Sequence, residues 1–305
     1  MCRIDNPSAQ IVLNQTHLLR DGRRMGYAEF GDSVGFPVIY CHGFPASRLE
    51  GALIAEAASR HRARVIAIDR PGYGLSDQQA HRQLLNWPED VVQLLDHLGI
   101  KRFAVLAVSG GGPYGLALSA KLADRISATS LVCPLGPVFR SDLVMAMHWP
   151  ARLGFFSARH APWLTKLVYG QILGALLRSN PSFALSLLTV AIPAVDRAIL
   201  AQDEVNQIIC RSIREALRPG WDGALRDFHI YSHDWGFDLS RITSPIVIWH
   251  GETDATVPIS HSRALVTMLV NAEFRTLLGE GHFSLPIGQA HVILTDLLEK
   301  VVIYG

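Results

Sequence analysis

Hydrophobic positions fall along this chain in two rhythms. Up to about residue 135, and again from residue 244, short apolar runs alternate with stretches of helical periodicity. Ile11–Leu18 and Met25–Phe30 read as paired strands around an Asp21-Gly22 turn. Pro37–Cys41, Val65–Asp69, Phe103–Val108 and Ile126–Cys133 are short runs of the fully buried kind. Ala46–Arg62 is compatible with a helix, and Leu84–Leu98 places Leu84, Val91, Leu94, Leu95 and Leu98 along one apolar stripe. Such alternation predicts a parallel sheet covered on both faces. From Gly136 to about Trp235 the strand pattern stops, and prolines at 150, 162, 181, 193 and 219 divide the region into short helical stretches. Ser244–Trp249 then restores a strand, followed by a helix near Ser260–Val270, a strand near Phe274–Leu278 and a helix near Gln289–Val301. The pattern predicts an α/β core made of residues 1–135 and 236–305, with residues 136–235 inserted as a helical cap.

The stretch with the most chemical content is Val105–Leu118, VLAVSGGGPYGLAL. An apolar strand stops at Ser109, glycines follow, and a helix begins. Ala107 and Gly111, two residues to either side, suit a turn too tight for large neighbours. Such a turn strains the serine backbone and lifts its Oγ clear of the sheet, while free N–H groups at the helix start face any oxyanion beside it. Gly110, Gly112 and Gly115 also spell a dinucleotide fingerprint. That reading requires an acidic residue roughly 20 positions on, at the end of the next strand. Ile126–Cys133 ends instead in Cys-Pro-Leu-Gly, and Asp124 falls too early. Close helix–sheet packing accounts for some of the glycines but leaves the serine unexplained.

A nucleophilic serine needs a base and a carboxylate to orient it, both on loops at the carboxyl ends of strands. Asp254 lies just past the strand ending at Trp249, and His282 just past the one ending near Leu278. Their order along the chain, Ser109, Asp254, His282, suits a nucleophile-elbow fold. Glu252 is an alternative carboxylate. Two N–H donors for an oxyanion are expected from Gly110 and from Phe44, in the His42-Gly43-Phe44-Pro45 loop where Gly43 permits an unusual turn. His42 reads as a structural hydrogen-bonding residue rather than a base.

Composition narrows the alternatives. With 49% hydrophobic and 18% charged residues the chain is folded rather than disordered, and its net charge of +1 gives no footprint for nucleic acid. The four cysteines, Cys2, Cys41, Cys133 and Cys210, are scattered without a C-x-x-C pair, which points to a reducing compartment. Met1–Gln10 has no apolar leader core, and Ser179–Val195 is too short and broken to span a bilayer. The expectation is a cytoplasmic protein without an integral membrane segment. No HExxH, calcium loop or paired-cysteine site occurs, so neither a metal nor another cofactor is expected.

Taken together, YCHGFPAS at 40–47, IDRPGYGLSD at 68–77, AVSGGGPYGLAL at 107–118, IWHGETDATVP at 248–258 and GEGHFS at 279–284 resemble the α/β-hydrolase superfamily. The resemblance runs from about Ile11 to the carboxyl terminus and implies that fold, with a mostly parallel central sheet flanked by helices. Ala107 stands where the common elbow has Gly. The HGFP loop looks like that of epoxide hydrolases, which carry an aspartate where this chain has Ser109. Serine there implies attack on a carbonyl.

The inserted region has no Asp or Glu between Leu143 and Val195, and it is crowded with Met145, Met147, Trp149, Phe155, Phe156, Trp163 and Tyr169. Some of these serve the cap's own core, and a minority are expected to line an apolar cleft; Phe44, Trp149 and Phe283 are the candidate substrate-binding side chains. The expected activity is hydrolysis of a carboxylic ester, thioester or lactone of a small, largely apolar substrate through an acyl-enzyme. The same residues could serve a C–C bond hydrolase, an acyltransferase or a lyase, and a non-catalytic small-molecule receptor is a further alternative.

Overall fold

The structure, a computed structural model, describes residues 11–188 and 192–304; Met1–Gln10, with Cys2, lies outside the described residues. Eight strands build one sheet: β1 (Val12–Leu18), β2 (Arg24–Gly31), β3 (Phe36–Cys41), β4 (Ala63–Ile68), β5 (Phe103–Val108), β6 (Ile126–Val132), β7 (Ile246–Gly251) and β8 (Ala272–Leu277). Their order across the sheet is β1-β2-β4-β3-β5-β6-β7-β8. β1 pairs antiparallel with β2, and β2 antiparallel with β4; every other pairing is parallel. The sheet is therefore mostly parallel, with an antiparallel hairpin at one edge.

The continuous apolar runs are continuous because both faces are covered. Every residue of β5, β6 and β7 is buried, whereas edge strands β1 and β8 have only half-buried and exposed positions. Consecutive residues feed different cores. Ile39, Ile66 and Val105 join one cluster with α2 (Asn86–His97) and α3 (Gly112–Lys121), while Val38, Val65 and Ala104 join another with α1 (Ala55–Arg60) and α14 (Ala290–Tyr304). Strand order reverses at β3, whose neighbours β4 and β5 lead to opposite edges. In open α/β sheets the crevice beyond such a switch point is where ligands bind.

Between β6 and β7 the described residues form helices and no strand: α4 (Ser141–Ala146), α5 (Trp149–His160), α6 (Pro162–Thr165) continued by a π-helical Lys166–Leu173 into α7 (Gly174–Ser179), α8 (Pro181–Leu188), α9 (Ala194–Leu200), α10 (Asp203–Ala216) and α11 (Asp222–Tyr231). Leu177, Leu200, Val205, Ile209, Ile213 and Leu217 form a third apolar cluster there, which reaches Tyr73 and is bordered by Phe44 and Phe283. Of the aromatic and sulfur side chains in this stretch, Met147, Phe155 and Tyr169 are buried, whereas Met145, Trp149, Phe156 and Trp163 face solvent. After β7 come α12 (Ser260–Met268), then β8, α13 (Ser284–Gly288) and α14. Among the described residues no helix is long and apolar enough to cross a membrane.

The long helix expected over Ala46–Arg62 is instead a 3₁₀ segment, Arg48–Ile54, leading into the short α1. The reason is a buried ion pair. Asp69 accepts hydrogen bonds from the Arg48 backbone N–H at 2.7 Å and from its Nη1 at 2.8 Å, which draws the start of the segment against the end of β4.

Candidate active site

Ser109 follows β5 directly and has φ +53°, in the left-handed region that a non-glycine residue occupies only under constraint. The constraint is crowding. A Cβ on Gly111 would stand 2.1 Å from the Cys41 carbonyl oxygen, so the turn can press onto the end of β3 only with glycine there. Ser109–Gly111 forms one 3₁₀ turn that passes straight into α3.

The loops after β7 and β8 bring their side chains to this turn. His282 Nε2 is 3.0 Å from Ser109 Oγ, and His282 Nδ1 is 2.7 Å from Asp254 Oδ2. With Nδ1–H donating to the carboxylate, Nε2 is the acceptor for the serine hydroxyl. Asp254 Oδ1 accepts the N–H groups of Thr256 and Val257 at 2.9 and 2.8 Å, which fixes the carboxylate plane. Burial works against its charge, yet the neighbouring imidazole and these N–H donors hold the Asp254 carboxyl below its ordinary value. For His282, burial pushes the ring down, but Asp254 above all, then Asp196 and Glu50, outweigh it and the value is raised. Glu252 is exposed, so the carboxylate that meets the histidine is Asp254.

The Phe44 N–H has no acceptor among the described residues. Its nitrogen lies 3.4 Å from where a Cβ on Gly110 would be, so the two expected oxyanion donors adjoin one another. Gly43, expected to supply an unusual turn, does not have positive φ. What shapes the loop is a set of hydrogen bonds. The Gly43 N–H donates to Glu50 Oε2 at 2.6 Å, and the Gly43 carbonyl accepts from Arg70 Nη2 at 2.7 Å and from His42 Nδ1 at 2.9 Å. Gly43 C=O and Phe44 N–H belong to one peptide group, so the Arg70 cation polarises the same amide that offers its N–H to the site. His42 is fully buried, and burial together with Arg70 keeps its ring well below the ordinary value. It is a neutral structural donor.

Beneath this loop lies a network whose central carboxylate has no sequence signal. Arg70 also donates to the carbonyls of His42 and Gly110 at 3.1 and 3.2 Å, and its Nε is 3.1 Å from Asp227 Oδ2. Asp227, on α11, also pairs with Arg82 and accepts hydroxyls from Tyr73 at 2.8 Å and Tyr114 at 2.6 Å, and Tyr231 closes the ring by donating to the Gly110 carbonyl at 2.7 Å. All six side chains are buried. Arg70 lay in a motif that was legible, IDRPGYG, but Asp227 looked like any carboxylate on an amphipathic helix.

Of the expected substrate contacts, the Phe283 ring stands edge-on to the His282 ring at 5.2 Å, and Phe44 packs edge-on against Phe228 at 4.9 Å. Trp149 is 73% exposed at the start of α5 and takes no part in the cluster bordered by Phe44 and Phe283. Cys133, just after β6, has φ +47° and a buried thiol that burial pushes well up. Its Sγ, with ligand atoms of Asp254 and His282, falls within a 4.8 Å group, the one such trio among the described residues, and the latter two side chains are already bonded to each other.

Residues 37–288 match the family described as alpha/beta hydrolase fold. The chain is 32% identical to the uncharacterized hydrolase YcgS of Bacillus subtilis over 86% of its own length and 89% of that protein's. It is 27% identical to a dihydrolipoyllysine-residue acetyltransferase component of an acetoin cleaving system from Pseudomonas putida, over 79% of its own length, and spans 58% of that relative. Among solved structures, an esterase from Exiguobacterium antarcticum superposes with a TM-score of 0.69 at 18% identity, covering 95% of this chain and all of that one. The chain belongs to the α/β-hydrolase family.

Proposed function

We propose that this protein is a serine hydrolase that cleaves a carboxylic ester, thioester or lactone of a small, largely apolar substrate. The observation that carries the reading is the line from Ser109 Oγ through His282 to Asp254, with contacts of 3.0 and 2.7 Å, at the switch point of the sheet. Ser109 Oγ attacks the carbonyl carbon while Nε2 takes its proton, and Asp254 stabilises the resulting imidazolium. The N–H groups of Phe44 and Gly110 receive the oxyanion. His282 then returns the proton to the leaving group; a water that gives its proton to the same nitrogen attacks the acyl carbonyl, and that proton passes to Ser109 Oγ as the carboxylic acid leaves. Residues 136–235 act as a cap that excludes bulk water, with Phe44 and Phe283 as apolar walls against the substrate. Fold alone does not choose among hydrolase chemistries, so the ester assignment rests on the serine and its relay.

A panel of p-nitrophenyl esters of increasing acyl length, with a lactone followed by pH-stat, tests it: saturable turnover is expected, and absence of turnover on every member contradicts it. Asp254→Asn should lower kcat about 10⁴-fold, because the imidazole loses its orienting acceptor, while the exposed Glu252→Gln should retain wild-type kcat. The pH profile carries a sign. His282 must be neutral to act as base, and its pKa is raised above 6.5, so kcat/KM should rise with pH through a limb centred above 6.5. A limb centred at or below 6.5 would contradict the electrostatics of the site.

A further inference from the structure

One buried carboxylate close to His282 is not used by the relay. Asp196, on the first turn of α9, is 0% exposed. Its Oδ2 accepts the backbone N–H of His282 at 2.8 Å, and its Oδ1 accepts those of Phe283 at 2.9 Å and Ser284 at 2.8 Å. These are successive N–H groups at the entry to α13, of the kind a helix start leaves unpaired. A residue immediately upstream ordinarily satisfies one of them. Here a single side chain from the stretch between β6 and β7, 86 residues away from His282, takes all three. The approach is so close that a Cβ on Gly281 would lie 2.3 Å from Asp196 Oδ2, which explains why glycine precedes the histidine.

We propose that Asp196 is a positioning residue: it grips the backbone of His282 from the helical stretch between β6 and β7, so that seating of that stretch sets the imidazole between Ser109 and Asp254. The inference rests on the hydrolase reading above. The opposite side of the loop is held by weaker or neutral contacts, the Gly281 N–H donating to Ser284 Oγ at 2.8 Å and the Thr253 N–H to the Glu280 carbonyl at 3.0 Å. Releasing the carboxylate therefore frees the backbone that carries the ring. A displacement of about 1 Å is enough to lose a catalytic hydrogen bond and about 10²-fold in rate. Asp196 also contributes charge. The groups that face His282 are Asp254 and His250 from β7 and its loop, Glu50 from the Arg48–Ile54 segment, Cys133 from the end of β6, and Asp196 from α9.

Two substitutions separate geometry from charge. Asp196→Asn keeps the shape but turns one acceptor into an N–H₂ group facing backbone donors and removes the charge. Gly281→Ala displaces the carboxylate and leaves its charge. In each variant, kcat on p-nitrophenyl butyrate should fall ~10- to 100-fold with KM changed less than about 2-fold. In Asp196→Asn the acidic limb should also move to lower pH, since the imidazolium loses a neighbouring negative charge. Titration of the His282 ring by NMR gives the same comparison without relying on turnover. If the wild-type protein turns over no ester, the hydrolase reading fails, and loss of the hydrogen-bonded His282 Nδ1–H resonance in Gly281→Ala, where the charge is kept, still supports the positioning role. If Asp196→Asn does not fold, Gly281→Ala decides by its kcat. Wild-type kcat in a folded variant overturns the proposal, as does an activity loss that only tracks the unfolded fraction while the His282 titration stays in place.

Discussion

Replacing Ser109 with alanine is expected to lower kcat for ester hydrolysis on the order of 10⁴- to 10⁶-fold while the protein stays folded. The hydroxyl is half-buried at the mouth of the turn, and its one hydrogen bond to another side chain among the described residues is the 3.0 Å contact with His282, so its removal costs chemistry and little packing. His282→Ala should be nearly as damaging, and the double variant scarcely worse than either single one, because the two groups act as a unit. The residual rate would come from binding and from the Phe44 and Gly110 N–H groups, which neither substitution touches. Initial rates on a p-nitrophenyl ester, with circular dichroism to verify folding, give the answer. A Ser109→Ala protein with more than about a tenth of wild-type kcat would mean that another group attacks the carbonyl.

The second large effect is on stability. Asp227→Ala is expected to destabilise the fold by about 3–5 kcal/mol, because it leaves the Arg70 and Arg82 guanidiniums buried without their counter-ion and three tyrosine hydroxyls without a shared acceptor or neighbour. Burial opposes the charge of Asp227, yet Arg82 and Arg70 outweigh it and hold the carboxyl below its ordinary value, so it is the anion that this cluster is built around. For a chain of 305 residues the loss corresponds to roughly 5–8 °C in Tm by scanning calorimetry. Asp142→Ala, which breaks an exposed pair with Arg140, should leave Tm in place. A Tm change in Asp227→Ala no larger than in Asp142→Ala would show that the network contributes nothing net. The substitution should also weaken turnover in whatever protein remains folded, since Arg70 loses the partner that aims it at the Gly43 carbonyl.

How much of this could be read along the chain depended on how local each cause was. The strands were legible because burial on both faces leaves an unbroken apolar run, as in Phe103–Val108. Ser109 was legible because a strained strand-to-helix turn tolerates only small neighbours, and that requirement is written within two residues of it. Asp254 was the carboxylate expected, with Glu252 left as an alternative because both lie in one polar loop; what separates them in space is the pair of N–H groups from Thr256 and Val257 that Asp254 accepts. The HGFP loop was legible from its place after the Pro37–Cys41 strand, but what holds its shape was not. Its shape owes nothing to a left-handed glycine and much to Glu50, Arg70 and His42. Asp196 and Asp227 were invisible because their partners lie far away in sequence, and a lone aspartate on a helical stretch looks the same whether it faces water or a buried backbone. The helix expected at Ala46–Arg62 failed similarly, by a long-range pair between Arg48 and Asp69 that overrides local propensity.

The most direct test of the central claim is to treat the protein with a fluorophosphonate and map the adduct by peptide mass spectrometry. A nucleophile activated by His282 at Ser109 predicts stoichiometric modification of Ser109, loss of ester turnover in step with labelling, and labelling slowed by at least about 10³-fold in His282→Ala. An adduct elsewhere, or wild-type protein that remains unlabelled while hydrolysing esters, would contradict the account.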